Sequence, residues 1–176
     1  MQLTPVMQKY ILHWGEMGSR WGVNRTVAQI HALLYLVNKP LSADEIVDAL
    51  SVARSNVSNS LRELQNWGLV DVSHELGDRR DYYTAVNDTW DILMLILDER
   101  MRREVNPIHK LLRECAEDAQ NDKSTGEETV QRIKDMQVFI ETISEWYDQM
   151  KGLPRPTLLA LLKMGAGVAK FAGKRT

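Results

Sequence analysis

The residues with the clearest chemistry lie in one short polar segment, at about 53–67. In this segment Val57, Leu61 and Leu64 recur at i, i+4 and i+7, which predicts a helix that turns those side chains toward a core. The opposite side carries arginine, serine and asparagine instead of the usual glutamate and lysine: Arg54, Ser55, Asn56, Ser58, Asn59 and Arg62. The two arginines of this set lie about two turns apart and can share that side.

These side-chain types suit the recognition of duplex DNA. Arginine can bind guanine O6 and N7 with two hydrogen bonds, and asparagine can do the same with adenine N6 and N7. We therefore predict that Asn56, Asn59 and Arg62 meet base edges. Ser55 and Ser58 lie near the helix start, where hydroxyls and backbone N–H groups suit a phosphate. The alternative is that this polar side is merely solvated surface.

A second pair of arginines lies at a predicted turn. Segments 69–73 and 81–86 are rich in β-branched and aromatic residues, and the glycine-aspartate pair between them predicts a hairpin. Arg79 and Arg80 fall at its tip, where a guanidinium can enter a narrow minor groove. Asp78 is expected to brace the hairpin or to orient an arginine. Alternatively, the neighbouring aspartates simply neutralise the two arginines.

The elements around these residues predict a helix-turn-helix. Thr4, followed by a proline, is a typical start for a first helix, which should end near 20–22, and a second helix is expected at 26–38. Ser42 and Glu45 form a capping box that opens a third helix. Only a few residues separate this helix from the polar one, so the two must pack at a steep angle.

The remainder of the chain reads as helical. Apolar residues step by threes and fours from residue 88, and the Asn-Pro pair at 106–107 predicts a break. A loop is expected at 121–126, from which Ser124 would cap a long helix, with a last helix at 157–172. We predict a mainly α fold in three parts: an N-terminal helix at 1–25, a winged helix-turn-helix with a two-stranded β-wing at 26–87, and a helical dimerisation region at 88–176.

The long helix that follows the loop carries a coiled-coil-like apolar seam, from Ile133 to Met150. The seam is either core or subunit interface, and the amount of apolar surface favours a homodimer. A two-fold dimer would set two recognition helices about 34 Å apart and predicts a pseudo-palindromic operator. Some aromatic side chains are either core or the walls of a pocket for a quaternary ammonium ligand: Trp90, Phe139, Trp146 and Tyr147.

Composition narrows the function classes. The formal net charge is −2, so DNA binding must come from a local arrangement and not from a basic protein as a whole. The single cysteine, Cys115, and a start without a signal-like apolar run predict a cytoplasmic protein. His109 and Cys115 lie on different helix faces, which argues against a metal site. With no catalytic motif in the chain, neither an enzyme nor a cofactor is expected.

The arrangement resembles the MarR-type winged-helix transcriptional regulators, and more narrowly their GbsR-like branch. The resemblance rests on segments 57–64, 67–70 and 77–83, and for the branch on the last of these together with the spacing of Gly15, Gly18 and Gly22. It implies a homodimeric DNA-binding regulator, often a repressor, that responds to a small ligand. Some members of the branch are tied to choline or glycine betaine metabolism.

We therefore predict a sequence-specific regulator of double-stranded DNA. Its recognition helix, at about 53–67, would occupy the major groove, and its wing, at 76–82, the minor groove. A small-molecule effector would modulate binding. The competing hypothesis is a winged-helix module that docks onto another protein without sequence-specific DNA binding.

Overall fold

The computed structural model describes residues 1–122 and 124–168, and it divides the chain into two compact units, Met1–Glu99 and a unit that begins at Arg100. The elements of the first unit follow in chain order: α1 (Pro5–Arg20), α2 (Arg25–Val37), β1 (Leu41–Ser42), α3 (Ala43–Leu50), α4 (Arg54–Asn66), β2 (Val70–His74), β3 (Asp81–Ala85) and α5 (Thr89–Arg100), which ends at the boundary. The domain limits expected near 25 and 87 stay predictions.

Helices α1 and α2 pack closely because small residues face each other. The Thr4 hydroxyl accepts the Met7 amide at 3.3 Å and caps α1, as predicted. A Cβ placed on Gly18 would lie 2.6 Å from the Ala28 Cβ, closer than side-chain carbons approach. Val6, in contrast, is exposed. It lies in the first turn of α1, where no element covers it.

The core of the first unit is built from α2 and the two helices of the helix-turn-helix. Its fully buried side chains alternate at helical spacing, as the sequence predicted for α4: Ile30, Leu33, Leu34, Ile46, Val57, Leu61 and Leu64. The buried side chains on the inner face of α4 therefore fix the position and the orientation of the helix. Its outer face remains free for recognition.

The capping box and a left-handed turn define the helix-turn-helix. The Ser42 amide and hydroxyl each lie 2.8 Å from Glu45 Oε2, and the Glu45 amide donates to the Ser42 hydroxyl at 3.4 Å. These hydrogen bonds lower the pKa of Glu45. Helix α3 ends at Ser51, whose φ of 53° turns the chain toward α4.

The wing contains one more strand than predicted. The sheet order is β1-β3-β2, and all its pairs are antiparallel. Strand β1 pairs Leu41 with Tyr83 and so attaches the hairpin to the start of α3. The two residues of β1 are too few to show an alternating pattern, which is why the sequence predicted only two strands.

The second unit contains a π-helical segment, Met101–Val105, followed by α6 (Asn106–Asn121), α7 (Glu127–Lys151), α8 (Arg155–Met164) and a 3-10 turn, Gly165–Val168. The break expected at 106–107 is present as this change of helix type. Helix α7 packs on α6, and His109 lies 3.3 Å from Glu141 between them.

Two predictions about the ends of these helices were wrong. Ser124 does not cap α7: its amide and hydroxyl bond to Asp122 at 2.9 and 2.6 Å, and Gly126 is the N-cap without a side-chain bond. With its hydroxyl taken by the loop aspartate, Ser124 is not available to the helix. The last helix ends at Met164 rather than 172, because the backbone tightens to 3-10 from Gly165. Residues 169–172 lie outside the described part.

Candidate nucleic-acid interface

The outer face of α4 collects the polar residues that the sequence singled out. All of them are exposed, whereas Val57, Leu61 and Leu64 are buried. At 3.6 residues per turn, Ser55, Asn59 and Arg62 follow one another along the middle of that face.

Arg54 and Asn56 lie at opposite edges of the same face. The Arg54 guanidinium forms an ion pair with Asp44 of α3, so it is already engaged within the helix-turn-helix. Asn56 and Asn59, with Ser60, line a polar cleft beside Asn24 at the start of α2. The middle of the face is therefore better placed for base edges than either edge.

Two further polar residues of this face were not among those predicted from the sequence. Gln65 and Asn66 are exposed in the last turn of α4, and Asn66 continues the run that begins with Ser55, Asn59 and Arg62 at i, i+4, i+7 and i+11. Extending the helical spacing by one more turn would have found them, because both carry amides that can bind base edges.

In the wing, Asp78 holds Arg80 in place, as expected of one of these two arginines. The Asp78 carboxylate accepts the Arg80 backbone amide at 2.9 Å and the guanidinium nitrogens at 2.5 to 3.1 Å. It also accepts the Tyr82 hydroxyl at 2.9 Å, and the guanidinium lies 5.5 Å from the Tyr82 ring centre. The side-chain and backbone hydrogen bonds from Arg80 keep the pKa of Asp78 well below its usual range.

The four predicted DNA-contacting arginines therefore fall into two pairs. Arg54 and Arg80 are bound to carboxylates, whereas Arg62 and Arg79 are exposed and make no hydrogen bond or ion pair within residues 1–122 and 124–168. A guanidinium that has no protein partner is available to a phosphate or base without first breaking a contact. Arg62 and Arg79 are thus the two arginines best prepared to bind nucleic acid.

This combination of a helix-turn-helix, a polar second helix and a β-hairpin with arginines at its tip defines a winged-helix fold. Residues 21–81 match the model of the MarR family. The chain is 20% identical over 138 residues to YvaV of Bacillus subtilis (strain 168), named as an HTH-type transcriptional regulator, covering 77% of this chain and 76% of YvaV. It is 23% identical over 141 residues to the HTH-type transcriptional repressor OpcR of the same organism, covering 77% and 73%.

The chain is therefore similar to the MarR family over residues 21–81, and over 77% of its length to two HTH-type transcriptional regulators. The fold agrees with the crystal structure of a transcriptional regulator that is 16% identical. That superposition has a TM-score of 0.60 and covers 82% of this chain and 95% of the other.

The part of the chain that the structure describes holds neither a metal-ligand cluster nor a membrane-spanning helix. No group of three or more His, Cys, Asp or Glu side chains there could hold a metal ion. No helix in the same ranges has the length and apolar content needed to cross a membrane.

Proposed function

We propose that this protein is a homodimeric, sequence-specific repressor, in which α4 reads the major groove and the wing contacts the minor groove. The observation that carries the proposal is Arg62 in the middle of the polar face of α4, with Arg79 at the wing tip. Neither arginine has a hydrogen bond or ion pair to another described residue. Asn59 and Asn66 would read base edges beside Arg62, and Ser55 and Ser58 would bind backbone phosphates. Arg54 and Arg80 would contribute after exchanging their carboxylates for phosphates, and Asn56 from the edge of the face.

The test is binding to duplexes selected from a random-sequence library. We expect an enriched pseudo-palindromic sequence, bound at physiological salt much more tightly than a scrambled duplex. Absence of any enriched sequence would remove the proposal. The protein-docking alternative is tested with a double Arg62→Ala, Arg79→Ala variant and any protein that the wild type captures in a pull-down. If the variant no longer captures that protein but binds DNA with unchanged affinity, the protein-docking alternative is favoured.

The homodimer is inferred from an exposed apolar stripe on α7. Met136, Phe139, Ile143 and Trp146 are 51%, 57%, 36% and 60% exposed, and they recur at the three-four spacing of a coiled-coil seam. The seam predicted from the sequence is thus partly open to solvent, and Phe139 and Trp146 are not core residues. We assign this stripe to a second copy of the chain, because that spacing matches the same stripe on a two-fold related helix.

Repression is proposed on the similarity to OpcR, which is named as a repressor. The proposed target is DNA, and the similar regulators are from a bacterium. We therefore expect the protein to act in the cytoplasm. A reporter under a promoter that contains the selected sequence tests the sign of regulation. Repression predicts higher expression when the protein is deleted, and lower expression would make it an activator.

We infer that an effector binds in a cavity of the first unit. The cavity, of about 70 Å³, is lined mainly by aromatic side chains: Tyr10, Trp14, His31 and Tyr35, with Ala32, Thr89 and Ile92. The Tyr10 and Trp14 rings are stacked with their centres 5.5 Å apart. His31 is only 5% exposed, and its Nε2 is the one buried side-chain nitrogen or oxygen without a partner in the described ranges. An unsatisfied buried nitrogen is costly, and a bound hydroxyl would satisfy it.

This lining suits a small cation that carries a hydroxyl, such as choline. Aromatic faces attract a quaternary ammonium group, while the neutral imidazole of His31 can bond the hydroxyl. A cavity of about 150 Å³ is large enough to hold benzene. The cavity of this protein, of about 70 Å³, is smaller, so part of a bound choline would extend out of the cavity through its opening. The cavity contains no cation to pair with a carboxylate, which disfavours glycine betaine. With the wing segment 77–83 and the early glycines, a choline response would place the protein in the GbsR-like branch.

A thermal-shift assay separates this effector proposal from the DNA proposal. Choline should raise the melting temperature of the wild type increasingly as its concentration rises above the dissociation constant, and glycine betaine should do so less. The Tyr35→Ala variant should lose the choline response and keep its DNA affinity. No shift with choline would remove the proposed effector and leave DNA binding standing.

A further inference from the structure

Leu76 at the tip of the wing is the most exposed large apolar side chain of the described residues. Its relative exposure is 109%, and the next highest value is 78% for Val6. The pairing of β2 with β3 ends at His74 and Asp81, so Leu76 lies beyond the last pair, on the side of the hairpin that leads away from the core.

The tip that carries Leu76 is held by hydrogen bonds and is not a loose loop. The Asp78 amide donates to the Glu75 carbonyl at 3.1 Å, and Gly77 supplies a φ of 86°. Asp78 then binds Arg80 and Tyr82 from the opposite side of the turn. Leu76 is therefore held away from the protein in the free state, where burial against its own fold would have been the favourable position for a leucine.

Charge around the tip identifies the kind of surface that Leu76 can meet. Glu75, Asp78 and Asp81 outnumber Arg79 and Arg80, so the tip as a whole is not attracted strongly to phosphates. Of the two arginines at the tip, Arg79 is the one that makes no hydrogen bond or ion pair to another described residue. One free guanidinium beside one apolar side chain suits the minor groove, where arginine finds enhanced negative potential and apolar residues insert between base steps.

Resting on the proposed function, we propose that Leu76 is an apolar wedge that enters the minor groove beside Arg79 and partly unstacks one base step. Binding by the wing then depends on a contact that salt does not screen, as well as on a charge. The easily unstacked pyrimidine–purine steps, TA and CA/TG, are favoured at the position that the wing reaches. The wing thereby adds sequence preference without hydrogen bonds to bases.

The test uses the full chain and a duplex selected from a random library, with 2-aminopurine replacing single adenines in the flanks of the enriched sequence. Wild-type protein should raise 2-aminopurine fluorescence at one flanking step, which reports unstacking. Leu76→Ala should abolish that rise and weaken binding about tenfold, with the same dependence of affinity on salt. Arg79→Ala is the matched variant: it should reduce the salt slope by about one ion and retain most of the fluorescence rise.

The outcomes separate this inference from the proposed function. If Leu76→Ala binds with wild-type affinity and wild-type fluorescence, the wedge is overturned and the regulator remains. If the wild type selects no sequence, the proposed function fails and the wedge fails with it. Leu76→Ala should unfold at the wild-type temperature because its side chain is fully exposed, which excludes misfolding as the cause of lost binding.

Discussion

At the scale of single residues, prior partners decide which polar groups are ready to bind. Helix α4 carries two arginines on its exposed face. Arg54 is paired with Asp44, whereas Arg62 has no such partner among the described residues. An arginine that must leave a carboxylate gains less from a phosphate than one that leaves only water. Replacing Arg62 should therefore lower the affinity for DNA more than replacing Arg54.

We expect Arg62→Ala to lower affinity for the selected duplex by about 10- to 100-fold, as loss of a bidentate base contact does, and Arg54→Ala to lower it less. Titration by fluorescence anisotropy measures both. Lys9→Ala, which removes the same charge from α1, is the control and should bind as the wild type. Equal losses from all three variants would show that only net charge matters.

His31 makes stability depend on pH. Desolvation lowers its pKa from 6.5 to about 4 in the folded state. Below pH 6.5 the unfolded chain takes up a proton that the folded protein does not, so the free energy of unfolding falls as pH drops from about 6.5 toward 4. The full loss is on the order of 3 kcal/mol.

Urea unfolding at pH 7.5 and pH 5 measures the larger part of this loss. His31→Gln should flatten the decline, whereas substitution of the exposed His13 by Gln should leave it as in the wild type. An identical decline in His31→Gln and wild type would assign the acid sensitivity to other groups.

At the scale of elements, close helix contact sets where α2 and the helix-turn-helix lie. Gly18 faces Ala28 with no room for a methyl group, since a Cβ there would lie 2.6 Å from the Ala28 Cβ. Gly18→Ala should lower the free energy of unfolding by about 1 to 3 kcal/mol, as overpacking does. Chemical denaturation checks this value.

Gly152→Ala is the matched control for that substitution. Gly152 has a φ of −72°, and its added Cβ would meet only backbone oxygens at 3.6 Å. This variant should change stability little, because an alanine adopts that backbone without strain. If Gly18→Ala proved equally neutral, the two helices could separate without cost, and the packing argument would be wrong.

At the scale of the whole molecule, the stripe on α7 should control assembly and, through it, DNA affinity. Phe139→Glu or Trp146→Glu should convert a dimer into a monomer, measured by size exclusion with light scattering. Affinity for the palindromic duplex should fall by about 100-fold or more, because the second half-site no longer binds within one complex.

Val138→Glu provides the control for the dimer. Val138 is 60% exposed on the same helix but lies off the stripe, so this variant should remain dimeric. A wild type that is monomeric at micromolar concentration would contradict the assignment of the stripe to a second copy.

Local patterns determined much of this protein from its sequence alone. The spacing of Val57, Leu61 and Leu64 fixed which side of α4 faces the core, and the Ser42–Glu45 box fixed where α3 begins. Both depend on contacts between residues a few positions apart, which sequence spacing reports directly. The hairpin and its arginine-bearing tip were predictable for the same reason.

Only the tertiary structure decided features that join distant segments. Strand β1 pairs with Tyr82 and Tyr83, which lie about forty residues away. The tertiary structure also places Arg54, but not Arg62, against a carboxylate of α3, and it leaves Phe139 and Trp146 facing solvent. Within the described residues, it buries His31 with no partner for its Nε2. Composition and periodicity state which side chains are present on a face, but burial and pairing depend on what the rest of the fold brings against that face.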